Sequence, residues 1–383
     1  MIYLDHAATT PIDEEVARAM RPYLGYDFGN PSSIHTIGVR ARNAIEESRV
    51  QIASFLKAAP EEIIFTSGGT EADNMAIKGI AFANRHKGNH IITTKIEHDA
   101  VLNSCRFMEN IGFKVTYLDV NSDGMVNPQD VRNAMTNKTI LVSVMHANNE
   151  IGTIELIKDI SEICKEKDVY FHTDAVQTFG HIPIDTANIN LLSASAHKIN
   201  GPKGIGFLFI QQGTHISPLI HGGNHEFTFR SGTENVAGIV GFAKAVELRE
   251  QRMYTESYSP LRDKLIKETS RIPGTIVNGH LTKRLPNNAS FCFSWVEGEA
   301  LIRKFNQQGI AVSTGSACSS KETKPSHVLM AIGRKPHEAH GSLRISLGQG
   351  NTSEEIDRLI EILPNTVEEL RKLSQLGRQI KCL

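Results

Sequence analysis

The sequence predicts an α/β fold in which helices cover a mainly parallel central sheet of seven strands, followed by a smaller α+β unit. Three observations point there. Between about residues 60 and 210, short β-rich runs alternate with stretches of 3.6-residue apolar period. Several of those runs are near-continuously apolar, as strands buried on both faces of a parallel sheet must be. After Ser259-Pro260 the alternation gives way to a different spacing of helix and strand. At 383 residues the chain also exceeds what one compact core usually holds.

In chain order, the strands are expected at 63–66, 90–94, 114–118, 140–146, 169–173, 191–195 and 205–210. Between them, Ala72, Met75, Ala76, Gly79, Ile80 and Ala83 trace a helical face, and crossover helices are expected over 99–110, 129–135 and 157–167. A long helical pattern runs from Thr233 to about 258. Beyond it come a helix near 260–271, a strand at 289–294, a helix near 299–308 and a strand at 343–347. A last helix starts near 353, where Thr352 and Glu355 have capping-box spacing. This gives a large domain over 12–258 and a small one built from 1–11 and 259–383.

A formal net charge of −1 argues for neither nucleic acid nor an anionic membrane as partner. The opening residues, with Asp5 already present, do not read as a secretory leader, and no apolar run is long enough to span a bilayer. Five cysteines stand at 105, 164, 292, 318 and 382 without a Cys-x-x-Cys pair. That spacing reads as reduced thiols in a cytoplasmic protein, with no metal site.

Four runs carry chemistry. Ser67-Gly68-Gly69-Thr70-Glu71 joins a strand to a helix, where backbone amides and the helix dipole suit an anion such as a phosphate; a tight turn alone would look the same. It fits neither common nucleotide loop. Ser195-Ala196-His197-Lys198 precedes a Gly-Pro loop and sets a lysine just past a buried strand, where a Schiff base to an aldehyde cofactor would use the amine. His172 and Asp174 share one face of a strand. They could pair on a metal, though no third ligand is apparent, or Asp174 could face a pyridine nitrogen in the crevice at the strand end. Finally, Cys318 lies in the small, polar stretch Ser313–Ser320, unlike Cys105, Cys164 and Cys292, which fall in apolar patterns.

Together these runs resemble the cysteine desulfurases, enzymes of the fold-type I, aspartate aminotransferase-like class that use pyridoxal 5′-phosphate. The resemblance extends over Tyr3-Leu4-Asp5-His6-Ala7-Ala8-Thr9-Thr10-Pro11, Phe28-Gly29-Asn30-Pro31-Ser32-Ser33, Phe65–Glu71 and His146-Ala147-Asn148-Asn149-Glu150-Ile151-Gly152. It continues through His197-Lys198, Arg230-Ser231-Gly232-Thr233 and Leu343-Arg344-Ile345-Ser346-Leu347-Gly348, nearly the whole chain in order. Ala147 and Ala196 are small departures from the usual pattern.

The resemblance implies roles at matching positions. Lys198 would hold the cofactor and shuttle protons, and His98 would stack on its ring and serve in acid–base steps. Asp174 would pair with the pyridine nitrogen and Gln177 with the ring hydroxyl. Gly69, Thr70, Ser195 and His197 would hold the phosphate, and Thr233 that of the neighbouring subunit in a homodimer. Asn149 and Arg344 would bind the carboxylate of L-cysteine. Cys318 would take the sulfur as a persulfide, leaving L-alanine. Its loop resembles the long form, which implies delivery to an iron–sulfur cluster scaffold or another sulfur acceptor. No resident metal is implied beyond transient contact of Cys318 with a cluster. The short tail, ending Lys381-Cys382-Leu383, differs from the longer scaffold-docking tail of relatives. Rival readings are a plain aminotransferase or β-lyase, a selenocysteine lyase, a catalytically silent interaction protein and a zinc hydrolase.

Overall fold

The computed structural model describes residues 1–253, 257–315 and 325–373. Twelve strands are β1 (Ile2–Tyr3), β2 (Ile63–Thr66), β3 (His90–Thr94), β4 (Lys114–Leu118), β5 (Thr139–Ser143), β6 (Tyr170–Asp174), β7 (Leu191–Ser195), β8 (Gly206–Ile210), β9 (Thr275–Asn278), β10 (Asn288–Phe293), β11 (Ile310–Ala311) and β12 (Ser342–Ser346). Helices α1 (Glu14–Met20), α2 (Thr36–Leu56), α3 (Gly69–Ala83), α4 (Asp99–Asn110), α5 (Pro128–Ala134) and α6 (Ile157–Glu166) lie in the first half. They are followed by α7 (Val236–Arg252), α8 (Ser259–Thr269), α9 (Gly298–Gln307), α10 (His327–Ala331), α11 (Pro336–Ala339) and α12 (Ser353–Leu373).

The seven expected strands form one sheet, ordered β2-β8-β7-β6-β5-β3-β4. Only β8 runs against the rest; being antiparallel to both β2 and β7, it leaves the other strands parallel. Every residue of β3, β5, β7 and β8 is buried, which explains their apolar sequences. Edge strand β4 is more exposed and carries Lys114 and Thr116. The six parallel strands end along one edge, so their loops converge there.

A second sheet, β12-β10-β9, is antiparallel, and β1 pairs with β11 in a short parallel ladder. One apolar cluster gathers Leu4 with Leu265, Phe291, Phe293, Leu301, Phe305, Ile345 and Leu359. The N-terminal strand therefore packs with the C-terminal third of the chain, while two other clusters fill the two faces of the main sheet. Pro260 sits in the first turn of α8, where a missing N–H costs nothing. The capping box forms too: Glu355 N–H donates to Thr352 Oγ1 at 3.4 Å and Thr352 N–H to Glu355 Oε2 at 3.3 Å.

One buried ion pair shapes the approach to Thr233. Arg49 grips Glu226 through two bonds of 2.8 and 2.9 Å, and Glu226 Oε2 also accepts from Phe65 N–H. Residues Glu226, Phe227 and Thr228 all have positive φ (44°, 53°, 73°), a conformation L-residues resist. The pair holds that bend in place. Arg49→Met should therefore destabilise the fold by about 3–5 kcal/mol, because Glu226 is left as an uncompensated buried charge. Urea unfolding checks this, and an unchanged midpoint would refute the structural role of the pair.

Candidate active site

The crevice at the ends of the parallel strands opens into a cavity of about 590 Å³. Its lining includes Gly69, Thr70, His98, Asn149, Asp174, Gln177, Ser195, His197, Lys198 and Arg344. Ten residues singled out from sequence thus meet in one place. Thr233 does not line it and is exposed on the loop before α7. Cys318 and Cys382 lie outside the described residues.

Lys198 is placed by a single 3₁₀ turn, Ala196–Lys198, at the end of β7. Its ammonium donates to the carbonyls of Ala7 at 2.5 Å and Ala8 at 2.8 Å. Those carbonyls belong to the N-terminal segment, which is tied to the same turn. Thr10 donates from N and Oγ1 to His197 O at 3.0 and 2.9 Å, and Gln177 Nε2 donates to Ala7 O at 3.0 Å. From the other side, His181 Nε2 bonds Lys198 O at 3.1 Å.

Asp174 closes β6 and is buried, with one carboxylate oxygen accepting from Val176 N–H at 2.8 Å. Burial pushes its carboxyl above the usual range, while the charges of His98 and Lys198 pull it down. A protonated ring nitrogen opposite would supply the remaining counter-charge. His98 caps α4: its Nδ1 accepts from Ala100 N–H at 3.1 Å, so in the neutral ring the proton is on Nε2.

The cradle expected at Ser67–Glu71 is the N-terminus of α3, a helix of 15 residues whose first N–H groups have no acceptor within the helix. Gly69 packs so closely on Val176 that a Cβ would come within 2.6 Å of its Cγ2. A further opening of about 400 Å³ shares Gly69, Thr70, Ser195 and His197 and adds Lys203. Burial, with Lys198 and Lys203 nearby, lowers His197 to about 4. Its Nδ1 lies 3.1 Å from Thr9 Oγ1.

Arg344 reaches the cavity from β12. Its guanidinium pairs with Asp5 at 2.8 Å and donates to Asn149 O at 3.0 Å, and its buried Nε has no partner among the described residues. That orphan N–H beside Asn149 is suited to a carboxylate. An amine at the wall, a carboxylate at the floor, an imidazole, an anion cradle and an arginine fork fit pyridoxal phosphate carrying an amino acid.

His172 does not act as a ligand. It is sealed between Ser143 Oγ (2.8 Å) and Ser193 Oγ (3.0 Å), and burial lowers it to about 3. Among the described residues, no group of three or more His, Cys, Asp or Glu is placed to hold a metal. Cys105, Cys164 and Cys292 are buried, and burial raises all three thiols, Cys164 to about 12 and Cys292 to about 11. They have the inert role their apolar surroundings predicted.

The sequence reading missed several groups around the cavity. Asp5 pairs with Arg344 across the chain, which no local pattern reveals. Asp73 and Glu97 are fully buried carboxyls lining the cavity. Burial and the charge of Asp174 push Asp73 well above the usual range. Burial raises Glu97 to about 8, against hydrogen bonds from Met145 N–H and the Thr94 hydroxyl. Asp73 was open to detection as an acid within the small and apolar run of α3.

The family model described as aminotransferase class-V matches residues 2–359. The chain is 53% identical over 385 residues to "Cysteine desulfurase IscS" of Dictyoglomus turgidum, covering 99% of this chain and 98% of that protein. A solved NifS-like protein superposes with a TM-score of 0.90 at 38% identity, over 96% of this chain and 100% of that one. The solved complex of SspA with cysteine gives 0.80 at 38% identity, over 91% and 99%.

The raised Glu97 carboxyl has a measurable consequence. Neutral when folded but ionised above about pH 4.5 when unfolded, it contributes stability that is full below pH 4.5 and is lost as pH climbs through about 8. Glu97→Gln keeps the acceptor oxygen and removes the titration, so it should flatten the fall in stability between pH 4.5 and 8. A pH series of unfolding midpoints checks this; parallel curves for the two proteins would refute it.

Proposed function

The chain belongs to the aminotransferase class-V family, among its cysteine desulfurases, and from that premise we propose that it moves sulfur from free L-cysteine onto Cys318. The observation that carries this is the convergence of Lys198, Asp174, His98, Asn149 and Arg344 on one cavity whose lining includes Gly315, three residues before that cysteine. The cofactor is pyridoxal 5′-phosphate, which when bound supplies an aldehyde for an amine and an electron sink for bonds breaking beside it.

The protein's own groups divide the work. Gly69, Thr70, Ser195 and His197 would hold the phosphate with backbone and side-chain donors. Asp174 would pair with a protonated pyridine nitrogen, and Gln177 would meet the ring hydroxyl. Arg344 and Asn149 bind the carboxylate of the substrate and so turn its Cα–H bond toward Lys198. The Lys198 amine would hold the aldehyde of the cofactor and, once free of it, would serve as the base at Cα. His98, with its proton on Nε2 in the neutral ring, would stack on the cofactor ring and assist proton transfer.

The thiolate of Cys318 attacks the substrate sulfur. An S–S bond forms, the Cβ–S bond breaks, and its electron pair stays on Cβ, which takes a proton to become the methyl group of L-alanine. Cysteine and one enzyme thiol become alanine and one enzyme persulfide. Regeneration needs an acceptor thiolate or a thiol reductant.

We assign the acceptor to the class of iron–sulfur cluster scaffold proteins, with other sulfur acceptors as alternatives. The reading includes a homodimer in which Thr233, exposed and outside its own cavity, serves the neighbouring phosphate. It also includes a division into 12–258 and 1–11 with 259–383, supported by the packing of Leu4 with the C-terminal core. A cytoplasmic location suits a chemistry that needs reduced thiols. No helix among the described residues is long and apolar enough to cross a membrane.

Two variants test the reading. With cysteine and a thiol reductant, wild type should release alanine and sulfide while Cys318→Ala keeps its yellow colour and loses turnover; equal release would make the enzyme a lyase. Arg344→Ala should lower kcat/KM about 10- to 100-fold, the cost of one charge-assisted hydrogen bond or more. An unchanged kcat/KM would remove Arg344 from substrate binding.

A further inference from the structure

His181 has no part in the reaction as described, yet it is built against the turn that carries Lys198. That turn, Ala196–Lys198, is only three residues long, and its carbonyls need partners from outside it. Ala196 O accepts from Ile199 N–H and Gly201 N–H, both at 3.0 Å, within the same loop. His197 O accepts from Thr10, through N–H at 3.0 Å and Oγ1 at 2.9 Å. Lys198 O accepts from His181 Nε2 at 3.1 Å. Each carbonyl of the turn is thus held, and that of the lysine is held by a side chain from another loop.

The imidazole is itself firmly placed. It follows β6 through one compact run, in which Phe179 N–H donates to Ala175 O at 2.8 Å and His181 N–H to Thr178 O at 2.9 Å. Arg249 Nε donates to Gly180 O at 2.8 Å, and Gly180 takes a φ of 75°, which suits glycine. A carbonyl only accepts, so the bond to Lys198 O puts the ring proton on Nε2. Nδ1 is left buried with no partner among the described residues, a cost that an apolar side chain would avoid. Burial and the charge of Arg249 lower His181 to about 3, which keeps the ring neutral.

We propose that His181 is a positioning residue for the cofactor lysine, its Nε2–H tying the turn of Lys198 to the loop that carries Asp174 and Gln177. The amine, the carboxylate and the amide then keep one spacing around the cavity. The need is greatest once the amine is engaged. An ammonium has three donors, whereas a nitrogen joined to an aldehyde carbon has at most one, so separate bonds to Ala7 O and Ala8 O cannot both persist. The main-chain bond from His181 is untouched by that change. This rests on the reading of Lys198 as the lysine that holds pyridoxal phosphate; His181 does not line the cavity and acts through Lys198 alone.

The test uses the full chain as wild type, His181→Leu, His181→Asn and His181→Gln. Each protein, freed of cofactor, is mixed with pyridoxal 5′-phosphate, and covalent attachment to Lys198 is timed by borohydride quenching and peptide mass. On the loaded proteins, kcat and KM for L-cysteine and the urea midpoint are measured. His181→Gln puts an amide nitrogen where Nε2 stands, the amide of His181→Asn falls short of Lys198 O, and His181→Leu has no donor. His181→Leu and His181→Asn should attach the cofactor about tenfold more slowly and lose about tenfold in kcat, with KM within about twofold, the loss expected from one hydrogen bond. His181→Gln should recover most of both rates. Attachment and kcat at wild-type rates in a folded His181→Leu or His181→Asn overturn the proposal. So does equal loss in His181→Gln, because the donor would then not be what matters. If neither His181→Leu nor His181→Asn folds, the bond is a contact of the fold and the proposal falls. Cofactor on a lysine other than Lys198 in wild type defeats the reading of the site itself, a result distinct from labelled Lys198 with unaffected variants.

Discussion

The ammonium of Lys198 rests on the carbonyls of Ala7 and Ala8, and much of the site depends on that contact. A lysine at the end of a buried strand needs its charge met. Here it is met by main chain that starts in the smaller sheet and crosses to the larger one. The crossing is fastened at Thr10, Gln177 and Asn200, so Lys198, Gln177 and His197 share one wall of the cavity. At the smaller sheet, Asp5 turns the fork of Arg344 toward the same cavity. Lys198 and Arg344 lie far apart in the chain, and one short segment, from Asp5 to Ala8, contacts them both.

Electrostatics then sort the acids. Asp73, Glu97 and Asp174 line one cavity and are buried. Three carboxylates so close would repel, and burial already disfavours each charge. Only Asp174 has its carboxyl drawn down by both His98 and Lys198. Burial nonetheless raises all three carboxyls, Glu97 to about 8.

Much of this was legible in the sequence where the physics is local. Buried parallel strands leave near-continuous apolar runs, and four of the seven strands have the bounds their residues suggest; the others shift or shorten at their ends. The capping box of α12 and the boundary before Pro260 were readable from single residues. Other features were not. The buried face of α2 is built largely from Ala41, Ala44, Ser48, Arg49 and Ala53, too weakly apolar to mark a helix, and α1 is short. β1 and β11 have two residues each and exist only because they pair. The bond between Asp5 and Arg344 spans 339 positions. Contacts at that range are products of the fold, and no spacing rule reaches them; only resemblance placed Arg344 in the site, and Asp5 was assigned no role.

The most direct test of the account is reductive trapping. The purified protein, loaded with pyridoxal phosphate, is treated with borohydride, digested, and its peptides mapped by mass. The account predicts reduced cofactor on the peptide containing Lys198 and on no other. Cofactor fixed to a different lysine, or no covalent label on protein that has bound it, would contradict the assignment of Lys198 and the site built around it.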